Sequence, residues 1–205
     1  MKLYYAPGAC SLSPHIVSRE LGIPLEMQKV NTKDKSMEGG GDFRTVNAKG
    51  YVPALDLGNG QVLTEGPAIV QYLADQKPDS GLAPKAGTVE RYRLQEWLNF
   101  ITSEIHKSFS PLFKPNTPDD YKKIAKENLG ARFEWLDKQL AGREYLMDSG
   151  FTVADAYLFT VVNWSRAVGI DLAPYPNLAA YQKRVAARPK VREAMKAEGL
   201  LKEAA

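Results

Sequence analysis

The sequence predicts a two-part chain, an α/β region over 1–81 followed by an all-helical region over 88–205. Three observations carry this. The first part switches repeatedly between strand-like and helix-like periodicity. A stretch punctuated by Pro and Gly, Lys77-Pro78-Asp79-Ser80-Gly81 and then Ala83-Pro84-Lys85-Ala86-Gly87, reads as a linker. Beyond it only the 3.6-residue stripes of amphipathic helices recur. At 205 residues the chain is long enough to bury a core without disulfide staples. Hydrophobic residues at 44% and charged residues at 25% fit a soluble globular protein and exclude a disordered one.

The elements follow in order. Residues 2–5 are short and apolar-aromatic, suiting a strand, and Ala6-Pro7-Gly8-Ala9 is a loop. Residues 10–21 take helical spacing, with Ile16, Val17 and Leu21 on one side and Gly22 and Pro24 as stop signals. Residues 25–30 alternate as a second strand, so the first unit is βαβ, parallel and right-handed. Gly39-Gly40-Gly41 is a flexible loop without the Lys-Ser/Thr ending of a phosphate cradle. A short helical candidate at 42–46 precedes runs at 52–57 and 61–64, which flank Gly58-Asn59-Gly60 as a hairpin. Pro67 opens a helix over 67–76. The order β-α-β-α-β-β-α is the thioredoxin-like pattern, a mixed four-stranded sheet with helices on both faces. Helices follow over 90–109, 119–140, 152–168, 176–187 and 189–198, and the apolar 152–168 segment is expected at the centre of a helical bundle.

Composition narrows the partners. The net charge of +3 is spread over alternating basic and acidic residues without a basic block, so nucleic acid is not expected. No apolar run approaches the ~20 residues that span a bilayer. Met1-Lys2-Leu3-Tyr4 leads straight into strand-like sequence, predicting no signal peptide. A single cysteine rules out an internal disulfide and predicts a reducing, cytoplasmic setting.

That cysteine, Cys10, falls between a strand and a helix, where the helix dipole and unpaired N–H groups favour thiolate. A lone cysteine is usually a small buried hydrophobe, but this loop position points to chemistry. Ser13 stands where a thioredoxin-style motif has its second cysteine, which excludes internal dithiol exchange. In Val52-Pro53, Val52 can offer its N–H and C=O to a peptide-like ligand, as a sheet edge would. An ordinary trans turn is the plain alternative. Glu65-Gly66-Pro67 combines a carboxylate with a bare N–H at a helix N-terminus, which suits an α-amino acid and equally suits a simple cap. Asn99, Ser103, His106 and Ser110 recur on one helical face beside Lys107, either a solvated stripe or one facing an anionic ligand. His15 reads as a packing or solvated residue. Thr152-Val153-Ala154-Asp155 is a capping box, which accounts for its polar groups without catalysis.

The Cys10-Ser11 loop, Gly50-Tyr51-Val52-Pro53, Thr64-Glu65-Gly66 and the Phe151-to-Asp155 box together resemble a beta-class bacterial glutathione S-transferase across essentially the whole chain. The resemblance implies a homodimer with glutathione as co-substrate, no metal, and small hydrophobic electrophiles as second substrates. It implies Cys10 against the glutathione sulfur, and Tyr51 and Val52, ahead of a cis Pro53, along the cysteinyl backbone. Glu65 and Gly66 would take the γ-glutamyl end and Lys35 the glycyl carboxylate. Asn99 of the partner subunit would lie near the γ-glutamyl group, with Ser103 and His106 near the ligand or its thiol. Candidate thiolate stabilisers are Ser11, Tyr5 and His106. The electrophile would lie in a cleft between domains, against Lys107, Phe113 and Trp164, although core packing accounts equally for the two aromatics. Many relatives have Ser where Gly66 stands, so one hydroxyl contact is missing here. Two other activities fit the same residues: thiol transfer or reductive dehalogenation through a Cys10 mixed disulfide, and a catalytically silent interaction module of the same fold.

Overall fold

The computed structural model describes residues 1–201. By contacts the chain forms two units, one of residues 1–83 with the described residues from Ala187 onward, the other of Pro84–Ala186.

In the first unit β1 (Lys2–Tyr5) pairs in parallel with β2 (Glu26–Lys29). It pairs antiparallel with β3 (Ala54–Asp56), which continues through the Gly58-Asn59-Gly60 turn into β4 (Val62–Thr64). The four-stranded order is β2-β1-β3-β4. Register sets Leu3 opposite Leu55, both fully buried. The two-residue period therefore sends Tyr4 and Ala54 to the other face, where they meet Val30 and Phe43. That second face is covered by a loop segment with one 3₁₀ turn (Phe43–Thr45), where the sequence pattern predicts a short helix. Asp42 caps this turn by accepting from the Arg44 N–H at 2.8 Å, which uses up the polar start of the predicted helix within three residues. Helices α1 (Leu12–Leu21) and α2 (Gly66–Asp75) pack together and bury Ile16, Val17, Ile69, Val70 and Leu73.

In the second unit α3 (Val89–Phe100) is capped by Thr88, whose hydroxyl accepts from the Arg91 N–H. It runs into a π-helical turn (Ile101–His106) and then α4 (Lys107–Phe113), where one unbroken helix is predicted to Phe109. Then come α5 (Asp119–Gln139), α6 (Val153–Val162), the short α7 (Trp164–Ala167) and α8 (Pro176–Ala186). All ten residues of α6 are buried. The predicted 152–168 helix is divided at Asn163, whose backbone stays right-handed helical (φ −57°, ψ −25°), so the break is a local tightening.

The last helix, α9 (Pro189–Ala197), belongs by contacts to the first unit, where the sequence reading groups it with the helical half. It packs on α1, and two ties explain why. Arg188 holds Glu20 through two bonds of 2.8 and 3.0 Å. Glu198, just beyond α9, is buried and reaches both His15 and the Gly8 N–H, each at 2.9 Å.

Candidate active site

Cys10 sits in the loop between β1 and α1, half-buried, and its Sγ donates to the Val52 carbonyl at 3.2 Å. Neighbouring residues fix this loop. Ser11 is fully buried, and its Oγ accepts from the Ala6 N–H at 3.1 Å and donates to the Ala6 carbonyl at 3.2 Å. Its hydroxyl hydrogen is therefore committed to the backbone, and Ser11 fastens the loop. Ser13 Oγ donates to the Cys10 carbonyl at 2.8 Å. Gly8 needs its positive φ of 71°, and Glu198 accepts from its N–H. His15 completes the support: Arg19 Nε donates to its Nε2 at 3.3 Å, so its Nδ1 is the nitrogen that donates to Glu198.

The other side of this contact is the Tyr51-Val52-Pro53 turn, with the Val52-Pro53 bond cis. Asn47 Nδ2 donates to the Tyr51 carbonyl at 2.7 Å and holds the turn from behind. Tyr51 is exposed, and the Lys35 ammonium lies 5.8 Å from its ring centroid while donating to the Thr32 carbonyl at 2.6 Å. Glu65 caps α2 with φ 69° and ψ 116°, a conformation a non-glycine residue rarely adopts and one that collects at ligand sites. Its carboxylate pairs with Lys49, which also donates to Thr64 Oγ1 at 2.9 Å. Gly66 begins α2, and a Cβ there would meet nothing within 4 Å. The first unit thus gathers Cys10, Lys35, Tyr51, Val52, Pro53, Glu65 and Gly66 around connected loops. Tyr5 is half-buried, and burial, followed by the negative charges of Glu198 and Glu38, raises its phenol above the ordinary range, keeping it a donor at neutral pH.

The second unit has its own cluster. His106 ends the π turn, and its Nδ1 lies 2.6 Å from the hydroxyl of Tyr157 on α6. Its ring meets Trp164 edge-on at 4.9 Å, and Trp164 meets Phe109 and Phe113 at 5.7 Å each. Phe113 is half exposed, and Lys107 is exposed beside His106. The predicted single face of Asn99, Ser103, His106 and Ser110 is divided. Asn99 and Ser103 stay exposed, joined by a 3.1 Å bond from Ser103 Oγ to the Asn99 carbonyl, while His106 turns to Tyr157 and Trp164. Among the described residues no group of three His, Cys, Asp or Glu could hold a metal ion.

Sequence reasoning did not single out Lys49, Tyr157 or Glu198. Lys49 was findable as a cation near Glu65, but nothing local marks the other two.

A sheet of order β2-β1-β3-β4, a cysteine at its βα loop, a cis proline opposite and a separate helical unit define a thioredoxin-like domain joined to a helical one. Residues 8–76 match the family model "Glutathione S-transferase, N-terminal domain", and residues 100–189 match "Glutathione S-transferase, C-terminal domain". The chain is 46% identical to the glutathione S-transferase GstA of Escherichia coli O157:H7, over 98% of this chain and 100% of that one. A bacterial beta-class enzyme of Sphingomonas chungbukensis superposes with a TM-score of 0.95 at 51% identity, covering 98% of this chain and 100% of the other. A sphingomonad glutathione S-transferase complexed with glutathione gives 0.94 at 51% identity, with the same coverage. The chain belongs to the glutathione S-transferase family and is a glutathione transferase with glutathione as its co-substrate.

Proposed function

We propose that the loops around Cys10 and Val52 hold glutathione and activate its thiol for attack on small hydrophobic electrophiles. The observation carrying this is the 3.2 Å contact from Cys10 Sγ to the Val52 carbonyl, which sets a thiol beside a backbone edge able to pair with an extended peptide. The Val52 N–H and C=O receive the cysteinyl residue. Glu65 holds the γ-glutamyl ammonium and the Gly66 N–H its carboxylate. Lys35 takes the glycyl carboxylate, with Tyr51 beside it. Asn99 of the partner subunit in a two-fold homodimer reaches the γ-glutamyl end, and Ser103 lies nearby.

The chemical demand is a thiolate near neutral pH. The thiol proton leaves to solvent, and the sulfur is stabilised by the N-terminus of α1, whose first turn carries no acidic residue. Tyr5 donates a hydrogen bond to it, and Cys10 does so by turning its single S–H from the Val52 carbonyl. The sulfur then bonds to the electrophilic carbon as the leaving group departs with its electron pair. Phe113 and Trp164 offer the apolar surface for the electrophile, with Lys107 suited to an anionic substituent. The reaction belongs to the cytoplasm, where reduced glutathione and a reduced Cys10 coexist.

The single cysteine makes the test direct. Iodoacetamide alkylation of Cys10 is followed by mass spectrometry with and without S-methylglutathione, which occupies the site and cannot consume the reagent as a thiol. The proposal expects alkylation to slow as the analogue saturates. An unchanged rate contradicts it.

A further inference from the structure

We propose that Lys49 is a further binding residue of the glutathione site and takes the α-carboxylate of the γ-glutamyl end. The subsite then selects a free α-amino acid group with both of its charges present. This rests on the reading that Glu65 and the Gly66 N–H receive that end. Lys49 belongs to the turn that carries Tyr51 and Val52, and one buried side chain fixes both parts. Asn47 Oδ1 accepts from the Lys49 N–H at 3.2 Å, while Asn47 Nδ2 donates to the Tyr51 carbonyl at 2.7 Å. From that turn the Lys49 ammonium crosses to the segment that opens α2. There it donates to the Glu65 carboxylate and to Thr64 Oγ1, the latter at 2.9 Å. Both acceptors immediately precede Gly66, the first residue of α2.

The charges of the ligand call for such a residue. Glutathione at neutral pH, with its thiol protonated, carries an α-ammonium, an α-carboxylate and a glycyl carboxylate. Glu65 answers the ammonium and Lys35 the glycyl carboxylate, but the α-carboxylate has only an N–H. A carboxylate offers about four acceptor positions, so one N–H leaves it largely unpaired. Gly66 has no side chain to add a donor, and the space a Cβ would enter is open to 4 Å. Lys49 brings the missing cation to this place. An ammonium has three hydrogens, and among the described residues Lys49 engages Glu65 and Thr64. Glu65 has two oxygens, so it can keep Lys49 while accepting from the ligand ammonium. The Lys49 and Glu65 side chains are 47% and 67% exposed, where an ion pair alone adds little stability and both partners stay open to a ligand.

Calorimetry on the full chain with three ligands tests this. They are S-methylglutathione, the same peptide with 4-aminobutyryl for γ-glutamyl, which lacks only the α-carboxylate, and the glutaryl peptide, which lacks only the ammonium. Lys49→Met keeps the apolar stem and removes the charge, and an unchanged circular dichroism spectrum confirms its folding. Its preference for S-methylglutathione over the 4-aminobutyryl peptide should fall about five-fold from the wild-type value, the scale of one exposed ion pair. Lys49→Arg, which keeps the charge, should retain most of that preference. A preference equal in Lys49→Met and wild type overturns the proposal. So does tighter binding of S-methylglutathione by Lys49→Met, which would make Lys49 a competitor of the ligand ammonium for Glu65. The glutaryl peptide tests the underlying reading by itself. Wild type should bind it about ten-fold more weakly than S-methylglutathione, and Glu65→Ala should erase that difference. A difference that survives Glu65→Ala contradicts the placement of the ammonium, and the proposal falls with it. Loss of the Lys49 effect alone leaves that placement standing.

Discussion

Replacing Asp155 with alanine removes the acceptor of four hydrogen bonds at the start of α6. They come from the Leu146 N–H at 2.9 Å, the Thr152 N–H at 2.8 Å, and the Thr152 and Tyr181 hydroxyls at 3.0 Å each. The hydroxyls can turn elsewhere, and Tyr181 keeps the Asp155 carbonyl at 3.3 Å. The two backbone N–H groups cannot turn. Each stranded donor costs about 1–3 kcal/mol, so the loss is roughly 2–6 kcal/mol with the carboxyl neutral. Charge opposes this. Burial is the leading influence on Asp155 and raises its pKa from 3.8 to about 6 against its four hydrogen bonds. The folded protein binds the proton more tightly than the unfolded chain, so native stability falls as pH rises from about 4 through about 6. Linkage between those values makes the wild type more stable at pH 5 than at pH 7.5 through this group alone, by on the order of 1 kcal/mol. Asp155→Ala lacks that dependence. Its destabilisation should therefore be larger at pH 5 than at pH 7.5, by on the order of 1 kcal/mol. Urea unfolding of both proteins at the two pH values and one protein concentration measures this, concentration being fixed because assembly shifts apparent stability. A destabilisation equal at both pH values, or smaller at pH 5, refutes the reasoning.

Glu65→Ala should weaken glutathione binding about ten-fold by calorimetry, since the γ-glutamyl ammonium loses its charged partner; an unaltered dissociation constant refutes that assignment. Gly66→Ser should tighten binding by a few-fold, because the open space there admits a hydroxyl at a helix N-terminus; weaker binding would show that the bare N–H needs the glycine. Cys10→Ala separates two roles of the thiol. Conjugation of an activated aryl chloride should fall only a few-fold if the thiol acts by hydrogen bonding. Loss of conjugation together with glutathionyl-disulfide reduction would show a covalent Cys10 intermediate.

The legible parts of the fold are those encoded by near neighbours. Gly58-Asn59-Gly60 between two apolar runs is enough to write the β3–β4 hairpin, and Thr152 with Asp155 writes the α6 cap. The π turn is hidden because Leu94, Leu98, Ile101 and Ile105 keep a helical stripe straight across it, and all four are buried. Glu198 is hidden for a different reason. Its partners His15 and Gly8 lie 183 and 190 residues away, and no local pattern marks a carboxylate that will be buried. Ser11 misleads in the opposite sense, since a serine beside the single cysteine looks catalytic until its partner proves to be the Ala6 backbone. Cys10, Val52 and Glu65 stand out as candidates in the sequence because each occupies a junction between elements, where backbone groups are left without partners inside a helix or strand.

Crystals soaked with glutathione place the whole account under one observation. It predicts tripeptide density with the cysteinyl backbone paired to Val52, the γ-glutamyl end at Glu65 and Gly66, and the sulfur beside Cys10. Density bound away from Val52, or none at saturating glutathione, contradicts it.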